Sequence, residues 1–225
     1  MRLPLSATQT SDADFAQFQA VSEAVEDSLP PLLDLFRKND PSFREIPHQI
    51  DGRKTVAFEN GARYRVEFLT PNRGSEDRQG NPAPMPAPGG ASAQPLRFLD
   101  FLIRDPVRSV MLHRSGVAVT VPAPERYAVH KLIVATRRRG DPDGSLKRDK
   151  DIAQAALLME ALATTRSQRE LAFAWSEAWN RGPAWKEALG HGFSLIPKQE
   201  AARLRAAIIE GLGDISASPS DHGLA

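Results

Sequence analysis

The chain has 225 residues and a net charge of +1, so it can bury a large core and has no overall charge bias toward nucleic acid. It contains no cysteine, which excludes disulfides, thiolate metal sites and cysteine nucleophiles and fits a reducing cytoplasm. No uninterrupted apolar run of about 18 residues and no signal-peptide core occur, so we expect a cytoplasmic protein without a membrane span.

The first informative stretch is Asp12-Ala13-Asp14, which places two carboxylates two residues apart. In extended backbone, residues i and i+2 share a face, so the two side chains project together. Two like charges about 4–5 Å apart repel by roughly 1–4 kcal/mol at effective dielectric constants of 80 to 20. A bound Mg²⁺ removes this repulsion, whereas a solvated loop tolerates it. The pair alone leaves both interpretations open, and a third carboxylate would favour the metal site.

A short helix and three strands are predicted after the acidic pair. Residues 28–38 combine Ser28, two prolines and an apolar face, which predicts a helix that begins near Ser28. Turn-forming Asp51-Gly52 and Asn60-Gly61 separate the strands that follow. The predicted strands are residues 43–50, 54–59 and 63–69.

Glu67 is the candidate third carboxylate. In the last of these strands Tyr64, Val66 and Phe68 alternate with more polar residues, so Glu67 lies on the face opposite the aromatic side chains. The pattern fits a metal ligand and fits equally an exposed glutamate that pairs with Arg65 or Arg53.

A proline-rich segment separates these strands from a predicted hairpin. Residues 70–95 contain repeated prolines and are predicted as a long mobile loop over the sheet. Residues 96–103 are apolar, and their pattern does not distinguish helix from strand. Residues 107–113 and 117–121 predict a hairpin that turns at Arg114-Ser115-Gly116.

The apolar period changes from 2 to 3.6 near Pro122, which predicts a helical region from that point. The predicted helices are residues 124–139, 145–163, 168–180, 184–189 and 198–212. Residues 213–225 are predicted as a flexible tail. The chain is therefore expected to be an α+β protein with an α+β region over residues 1–122 and a helical region over residues 123–212.

The first two of these helices have clear apolar stripes. The residues expected to face the core are Ala128, Val129, Leu132, Ile133, Ala135, Ile152, Ala155, Ala156, Met159 and Leu162. Lys131 and Arg138 lie on another face of the first helix, and Asp151 is expected on the polar face of the second.

Taken in order, several stretches resemble the nucleotidyltransferase fold of the DNA polymerase beta type, and in particular a bacterial family of nucleotidyltransferase-fold proteins of unassigned substrate. The stretches cover most of residues 7–160, and the His130-Lys131-Leu132 element with its following Lys147-Arg148-Asp149-Lys150-Asp151 makes the resemblance specific. The others are Thr10-Ser11-Asp12-Ala13-Asp14-Phe15, Tyr64-Arg65-Val66-Glu67-Phe68-Leu69-Thr70-Pro71, Pro95-Leu96-Arg97-Phe98-Leu99-Asp100-Phe101-Leu102 and the residues 121–129 that precede the His-Lys-Leu element.

The resemblance implies a mixed sheet with flanking helices, followed by a helical C-terminal region. It also implies that Asp12, Asp14 and Glu67 are the catalytic acids and hold two Mg²⁺ ions, with a nucleoside triphosphate as substrate and nucleotidyl transfer as the reaction. Three basic residues are then candidates to contact the triphosphate or the acceptor, Lys as a point charge and Arg as a fork. These are Lys131, Arg138 and Lys150, and a solvated basic face explains them as well.

One feature of the resembled fold is missing from the sequence. Such enzymes carry a Gly-Ser or Gly-Gly turn upstream of the acidic pair, and its backbone N–H groups hold the triphosphate. Only eleven residues precede Asp12, and the first glycine is Gly52. We therefore expect the chain as given to transfer nucleotides poorly, and a natural protein with such an upstream segment to be a Mg²⁺-dependent enzyme.

Two functions from different classes follow from these residues. The first is nucleotidyl transfer from a nucleoside triphosphate to an unidentified acceptor, and the alternative is a catalytically inactive relative that binds a nucleotide or a protein partner. Nucleic-acid binding through Arg137-Arg138-Arg139 and Lys147-Arg148 is not favoured, because no aromatic-interleaved basic strand accompanies them. The sequence leaves homo-oligomerisation open.

Overall fold

The computed structural model of the chain describes residues 12–16, 31–49, 51–72, 82–84, 91–138, 140 and 142–224. Backbone contacts divide the chain into two compact units. One unit lies within residues 8–103, and the other includes residues 104–225. The hairpin predicted over residues 107–121 thus belongs to the second unit, whereas the sequence analysis placed it in the α+β region.

The first unit contains a six-stranded mixed sheet. Its strands are β1 (Asp12–Ala16), β2 (Arg44–Pro47), β3 (Thr55–Glu59), β4 (Arg65–Pro71), β5 (Ala83–Pro84) and β6 (Ser92–Leu96). Strand β4 pairs with β1 in parallel and with β3 antiparallel. Residues 69–71 at the end of β4 pair in parallel with β6. The predicted α+β class is therefore confirmed, and β4 is the strand that connects the sheet.

One face of this sheet is apolar because alternate residues of the strands point to it. Helix α1 (Leu32–Asn39) covers this face with Leu32, Leu33 and Phe36, and its apolar positions are those that predicted the helix. Ring contacts at centroid distances of 5.1–6.1 Å continue from the helix across β3 and β4 to β1. The rings are those of Phe43, Phe36, Phe58, Phe68 and Phe15.

The prediction of an unbroken loop over residues 70–95 is wrong for its described parts. Residues 70 and 71 belong to β4, and residues 92–95 belong to β6, where Ala93 is fully buried. The pattern did not indicate a strand because Pro95 and small residues weaken a strand signal, while parallel pairing to β4 overrides it. Most of the remaining loop lies outside the described residues. Helix α2 (Leu99–Leu102) follows β6 and contacts β4.

The second unit begins with the predicted hairpin and continues with helices. Strands β7 (Val107–Met111) and β8 (Val117–Val121) pair antiparallel. The helices are α3 (Pro124–Ala135), α4 (Pro142–Thr164), α5 (Gln168–Trp179), α6 (Pro183–Ser194) and α7 (Lys198–Asp214). No strand follows Val121 in the described part of the chain, so the predicted change of period is confirmed. None of the described helices is long and apolar enough to cross a membrane.

The stripes predicted for the first two helices of this unit are correct, because all ten residues are buried. Helix α6 continues five residues beyond its predicted end, through Gly190 and Gly192. A methyl group added at Gly192 would overlap the backbone oxygen of Leu132 in α3. The close crossing of α3 and α6 therefore requires a glycine where the sequence pattern suggested a helix end.

The structure also differs from the expected flexible tail. Residues 220–222 form a short 3₁₀-helix, and Leu224 is buried. Trp175 Nε1 donates a hydrogen bond to the backbone oxygen of His222 at 3.1 Å. His222 Nδ1 lies 2.8 Å from the oxygen of Ser218, so Nδ1 carries the proton and Nε2 accepts from the Ser176 hydroxyl at 2.9 Å. These contacts attach the segment after α7 to α5.

We expect Gly211→Ala to lower the free energy of unfolding by about 1–3 kcal/mol. The added methyl group in α7 would overlap the backbone oxygen of Gln168, at the start of α5. Gly213→Ala is the control in the same helix, because no atom lies within 4 Å of its added methyl group. Removing this helical glycine should raise stability by about 0.5–1 kcal/mol. Urea denaturation measures both, and equal effects would contradict the close helix crossing.

Candidate functional site

The parallel pairing of β1 and β4 brings the three predicted acids onto one face of the sheet. In this register Asp14 lies directly opposite Glu67, and Asp12 lies directly opposite Arg65. Opposite residues of neighbouring strands point to the same side, as do residues two apart in one strand. This face is the one opposite the aromatic cluster, as the alternation around Glu67 predicted.

Two rows of side chains cross this acidic face of strands β1 to β4. One row alternates in charge, and in spatial order it consists of Arg44, Glu59, Arg65 and Asp12. The next row contains Ala57, Glu67 and Asp14. Within these described residues, four carboxylates and two guanidinium groups leave a net charge of −2. One divalent cation would neutralise that charge.

The alternating row has the electrostatic effect expected from its order. Arg44 Nη2 donates a 2.8 Å hydrogen bond to Glu59 Oε1. This hydrogen bond lowers the pKa of Glu59, and the positive charge of Arg65 adds to the effect. The second row has no such alternation, because Asp14 and Glu67 are opposite neighbours of the same sign.

Glu67 obtains its counter-charge from its own strand. Arg65 Nε lies 2.7 Å from Glu67 Oε1, with 43% of the arginine side chain and 33% of the glutamate side chain exposed. The Nε atom is itself buried, and the contact has the distance of an ion pair without the alignment of a hydrogen bond. Of the two arginines considered from the sequence, Arg65 is therefore the partner of Glu67.

Carboxylate oxygens are the ligands that Mg²⁺ prefers, so the chemistry of this donor set fits the ion. Within the described residues, no three or more His, Cys, Asp and Glu side chains already converge as a metal-binding group. Glu67 is turned toward Arg65 in the arrangement observed. The backbone thus supplies the juxtaposition of acids, while the ligand roles of Asp12, Asp14 and Glu67 stay predictions.

The predicted basic residues belong to the second unit, where two of them converge on Asp151. Lys131 Nζ lies 2.7 Å from Asp151 Oδ1, and Arg138 Nε donates to Asp151 Oδ2 at 2.7 Å. Only 3% of the Asp151 side chain is exposed. Asp151 was expected on the polar face of its helix, and the structure shows that this polar residue is buried. The expectation came from helical spacing alone, and that spacing contains no information about the cations supplied by α3 and by the turn after it.

Burial by itself lowers the pKa of Lys131, but interactions with Tyr127 and Asp151 outweigh it and hold the pKa above its usual 10.5. The ammonium group also lies 5.1 Å from the centre of the Tyr127 ring, a cation–π contact. Lys131 is consequently charged at neutral pH and forms part of the contact between α3 and α4.

Comparison with known families identifies the family of the chain. A family model described as Nucleotidyltransferase matches residues 1–180. The chain belongs to this family. Neither a curated protein nor a solved structure matches it significantly. Nucleotidyltransferases in general transfer nucleotidyl groups from nucleoside triphosphates and use divalent metal ions.

The six residues predicted for the site of this nucleotidyltransferase divide between the two units. Asp12, Asp14 and Glu67 lie in the first, and Lys131, Arg138 and Lys150 lie in the second. Lys150 is partly exposed and precedes Asp151 in α4. Sequence reasoning missed the pairing role of Asp151, although a carboxylate directly after Lys150 in the resembled motif was a signal for it.

The helical unit of the nucleotidyltransferase also contains a cleft of about 500 Å³ that holds none of the predicted site residues. Its lining includes Glu125, Glu170, Phe173 and Glu177. Glu177 accepts 2.7 Å hydrogen bonds from Arg126 and from Arg181. Burial raises the pKa of Glu177, but these two arginines lower it further and leave it below its usual value. Glu177 is thus an internal counter-ion within the helical unit.

We expect Asp151→Asn to lower the free energy of unfolding by about 2–4 kcal/mol, because it leaves two partly buried cations without a charged partner. Asp149→Asn is the control two positions earlier in the polar segment, and 68% of that side chain is exposed. Its effect should stay below about 0.5 kcal/mol. Urea denaturation of both variants is the measurement, and a loss at position 149 equal to that at 151 would contradict the buried triad.

The Lys131–Asp151 pair also predicts a pH dependence. Because the folded pKa of Lys131 is raised, its contribution to stability is complete below the unfolded pKa of about 10.5 and is lost as the pH rises through the folded pKa. We expect the stability difference between the wild type and Lys131→Met to shrink above pH 10.5. Urea denaturation of both proteins at pH 8, 9.5 and 11 tests this, and a difference that stays constant would contradict it.

Proposed function

We propose that the reaction of this protein is Mg²⁺-dependent nucleotidyl transfer from a nucleoside triphosphate to an acceptor that is still to be identified, a reaction that the chain as given performs slowly. The observation that carries the proposal is the register that sets Asp14 directly opposite Glu67, on the same face as Asp12. Membership of the family supports the reaction class. In this proposal the three acids are the metal ligands and the catalytic residues.

The electrostatics of the acidic face support a cation-binding role. Opposite carboxylates about 5 Å apart repel by roughly 1–3 kcal/mol at effective dielectric constants of 80 to 20. Asp14 and Glu67 are opposite neighbours in the register, and the described residues of the two rows together carry a charge of −2. When bound, Mg²⁺ supplies positive charge for the phosphate oxygens and for the attacking oxygen. The acids fix its position on paired strands, which is a more rigid support than a loop.

The proposal also includes three basic residues of the second unit. Lys131, Arg138 and Lys150 were predicted to contact the triphosphate or the acceptor, and this remains a proposal. Lys131 and Arg138 are engaged with Asp151, which gives both a structural role within the helical unit. Their substitution therefore affects stability as well as any phosphate contact.

The alternative is a catalytically inactive relative that binds a nucleotide or a protein partner. The observation that favours it is the Arg65–Glu67 ion pair, which supplies a positive charge to the acidic face without any metal ion. The two functions differ in what the acids do. Catalysis requires that they bind the metal, whereas the alternative requires only that the face keep its shape and charge.

The test measures metal binding and nucleotide transfer separately. We expect the wild type to bind Mn²⁺, a paramagnetic substitute for Mg²⁺, and Asp14→Asn and Glu67→Gln to weaken this binding. With triphosphates labelled at the α-phosphate and fractionated cell extract as the source of acceptor, both variants should transfer label at least about 100-fold more slowly. Glu45→Gln is the matched control, because Glu45 lies on the same sheet opposite Phe58, on the aromatic face.

Undiminished transfer by Asp14→Asn would contradict the assignment of the acids. Metal binding without transfer to any fraction, in a protein that still binds labelled triphosphate, would instead favour the inactive alternative. Loss of transfer in Glu45→Gln as well would show that the sheet, rather than the acidic face, had been disturbed.

A further inference from the structure

We infer that Arg65 is a built-in competitor of the divalent cation: its guanidinium group neutralises Glu67 until a metal ion displaces it. This inference rests on the proposed function, because it assigns a regulatory role at the same acidic face. It makes Arg65 a positioning residue that acts through Glu67, and the sequence analysis named it only as a structural partner.

The position of Arg65 in the sheet is the first argument. Its direct neighbours across the strands are Glu59 on β3 and Asp12 on β1, so the backbone register already places it between two acids. The side chain nevertheless brings Nε to within 2.7 Å of Glu67, which lies two residues along the same strand. The guanidinium group of Arg65 therefore lies beside the carboxylate of Glu67, and Glu67 has another acid, Asp14, opposite it on β1.

The quality of the contact is the second argument. A bidentate arginine–carboxylate pair forms two aligned hydrogen bonds and is difficult to separate. Here the Nε atom is buried and close to the carboxylate, yet it makes no aligned hydrogen bond. Both side chains are one-third or more exposed, so solvent screens the attraction. The pair neutralises charge while remaining weak enough to be exchanged for a stronger cation.

The charge balance of the face supplies the third argument. With Arg65 present the described residues of the two rows carry −2, and the described part of the second row contains two acids and no basic residue. A divalent ion that reaches Glu67 must separate it from Arg65, and the two positive charges then repel each other. Removing the charge of Arg65 should therefore strengthen metal binding, which is the opposite of what removal of a metal ligand would do.

The experiment is a Mn²⁺ titration followed by electron paramagnetic resonance at 0.1 M salt. We expect Arg65→Gln to bind Mn²⁺ about tenfold more tightly than the wild type, from the repulsion between a unit charge and a divalent ion about 6 Å apart at water-like dielectric. Arg65→Lys keeps the charge and should stay within about threefold of the wild type. Arg44→Gln is the matched control, because it removes the other arginine of the same row, two strands away, and should change affinity less than about twofold.

A double-mutant cycle isolates the pair. In a Glu67→Gln background, Arg65→Gln should lose most of its effect on Mn²⁺ binding, because the carboxylate for which it competes is gone. An effect of the same size in both backgrounds would overturn the inference, since it would show that Arg65 acts through the general field. Unchanged or weaker Mn²⁺ binding by Arg65→Gln, beside a wild type that binds Mn²⁺, would also overturn it and leave the proposed function intact.

A measurement on the wild type covers the case in which Arg65→Gln does not fold. With ¹⁵N-labelled protein and diamagnetic Mg²⁺, the Nε–H signal of Arg65 should shift as the metal binds, while that of Arg44 stays in place. A stationary Arg65 signal during saturable metal binding would overturn the inference. Absence of Mn²⁺ binding in the wild type and in Arg65→Gln alike would contradict the proposed function, and the inference with it.

Discussion

The backbone pairing of β4 is the constraint on which the first unit depends. This strand pairs with β1, β3 and β6, so its register decides which side chains of four strands share a face. Because side chains alternate along a strand, a shift of one residue would exchange the aromatic and acidic faces. The packing of α1 on the aromatic face and the juxtaposition of Asp14 with Glu67 are therefore two results of one register.

The two units differ in how their acidic side chains are paired with basic ones. In the helical unit the buried Asp151 and the partly buried Glu177 each have two cationic partners from the same unit. Removing one partner of such a pair leaves the other charge unpaired, which destabilises the contacts between the helices. On the acidic face of the sheet, the carboxylates outnumber the cations among the described residues, and all four are partly or fully exposed. The described charges of that face leave an excess of negative charge, whereas Asp151 and Glu177 are each paired with two cations of their own unit.

Local elements of both units could be predicted from the sequence. The long-range contacts between elements of the same unit could not. Alternation around Glu67 identified its strand and face, and the 3.6 period identified the cores of α3 and α4, because these signals are local. The pairing of β1 with β4 joins residues more than 50 positions apart, so no local pattern contains it. The same reason explains why the burial of Asp151 was not predicted, since its partners come from α3 and the turn after it. Strand β6 was missed because its backbone pairing, rather than its side chains, defines it.

If the acids of this face served only to stabilise the fold, the like-charge repulsion between them would be unexplained. Directly opposite like charges destabilise a sheet, and Asp14 lies directly opposite Glu67. Arg65 offsets part of this repulsion, but through a contact without hydrogen-bond alignment. A neutral residue at either position would remove the like-charge repulsion between them. Local arrangements that work against stability are expected at functional sites, so the repulsion itself is an argument that these acids serve a ligand.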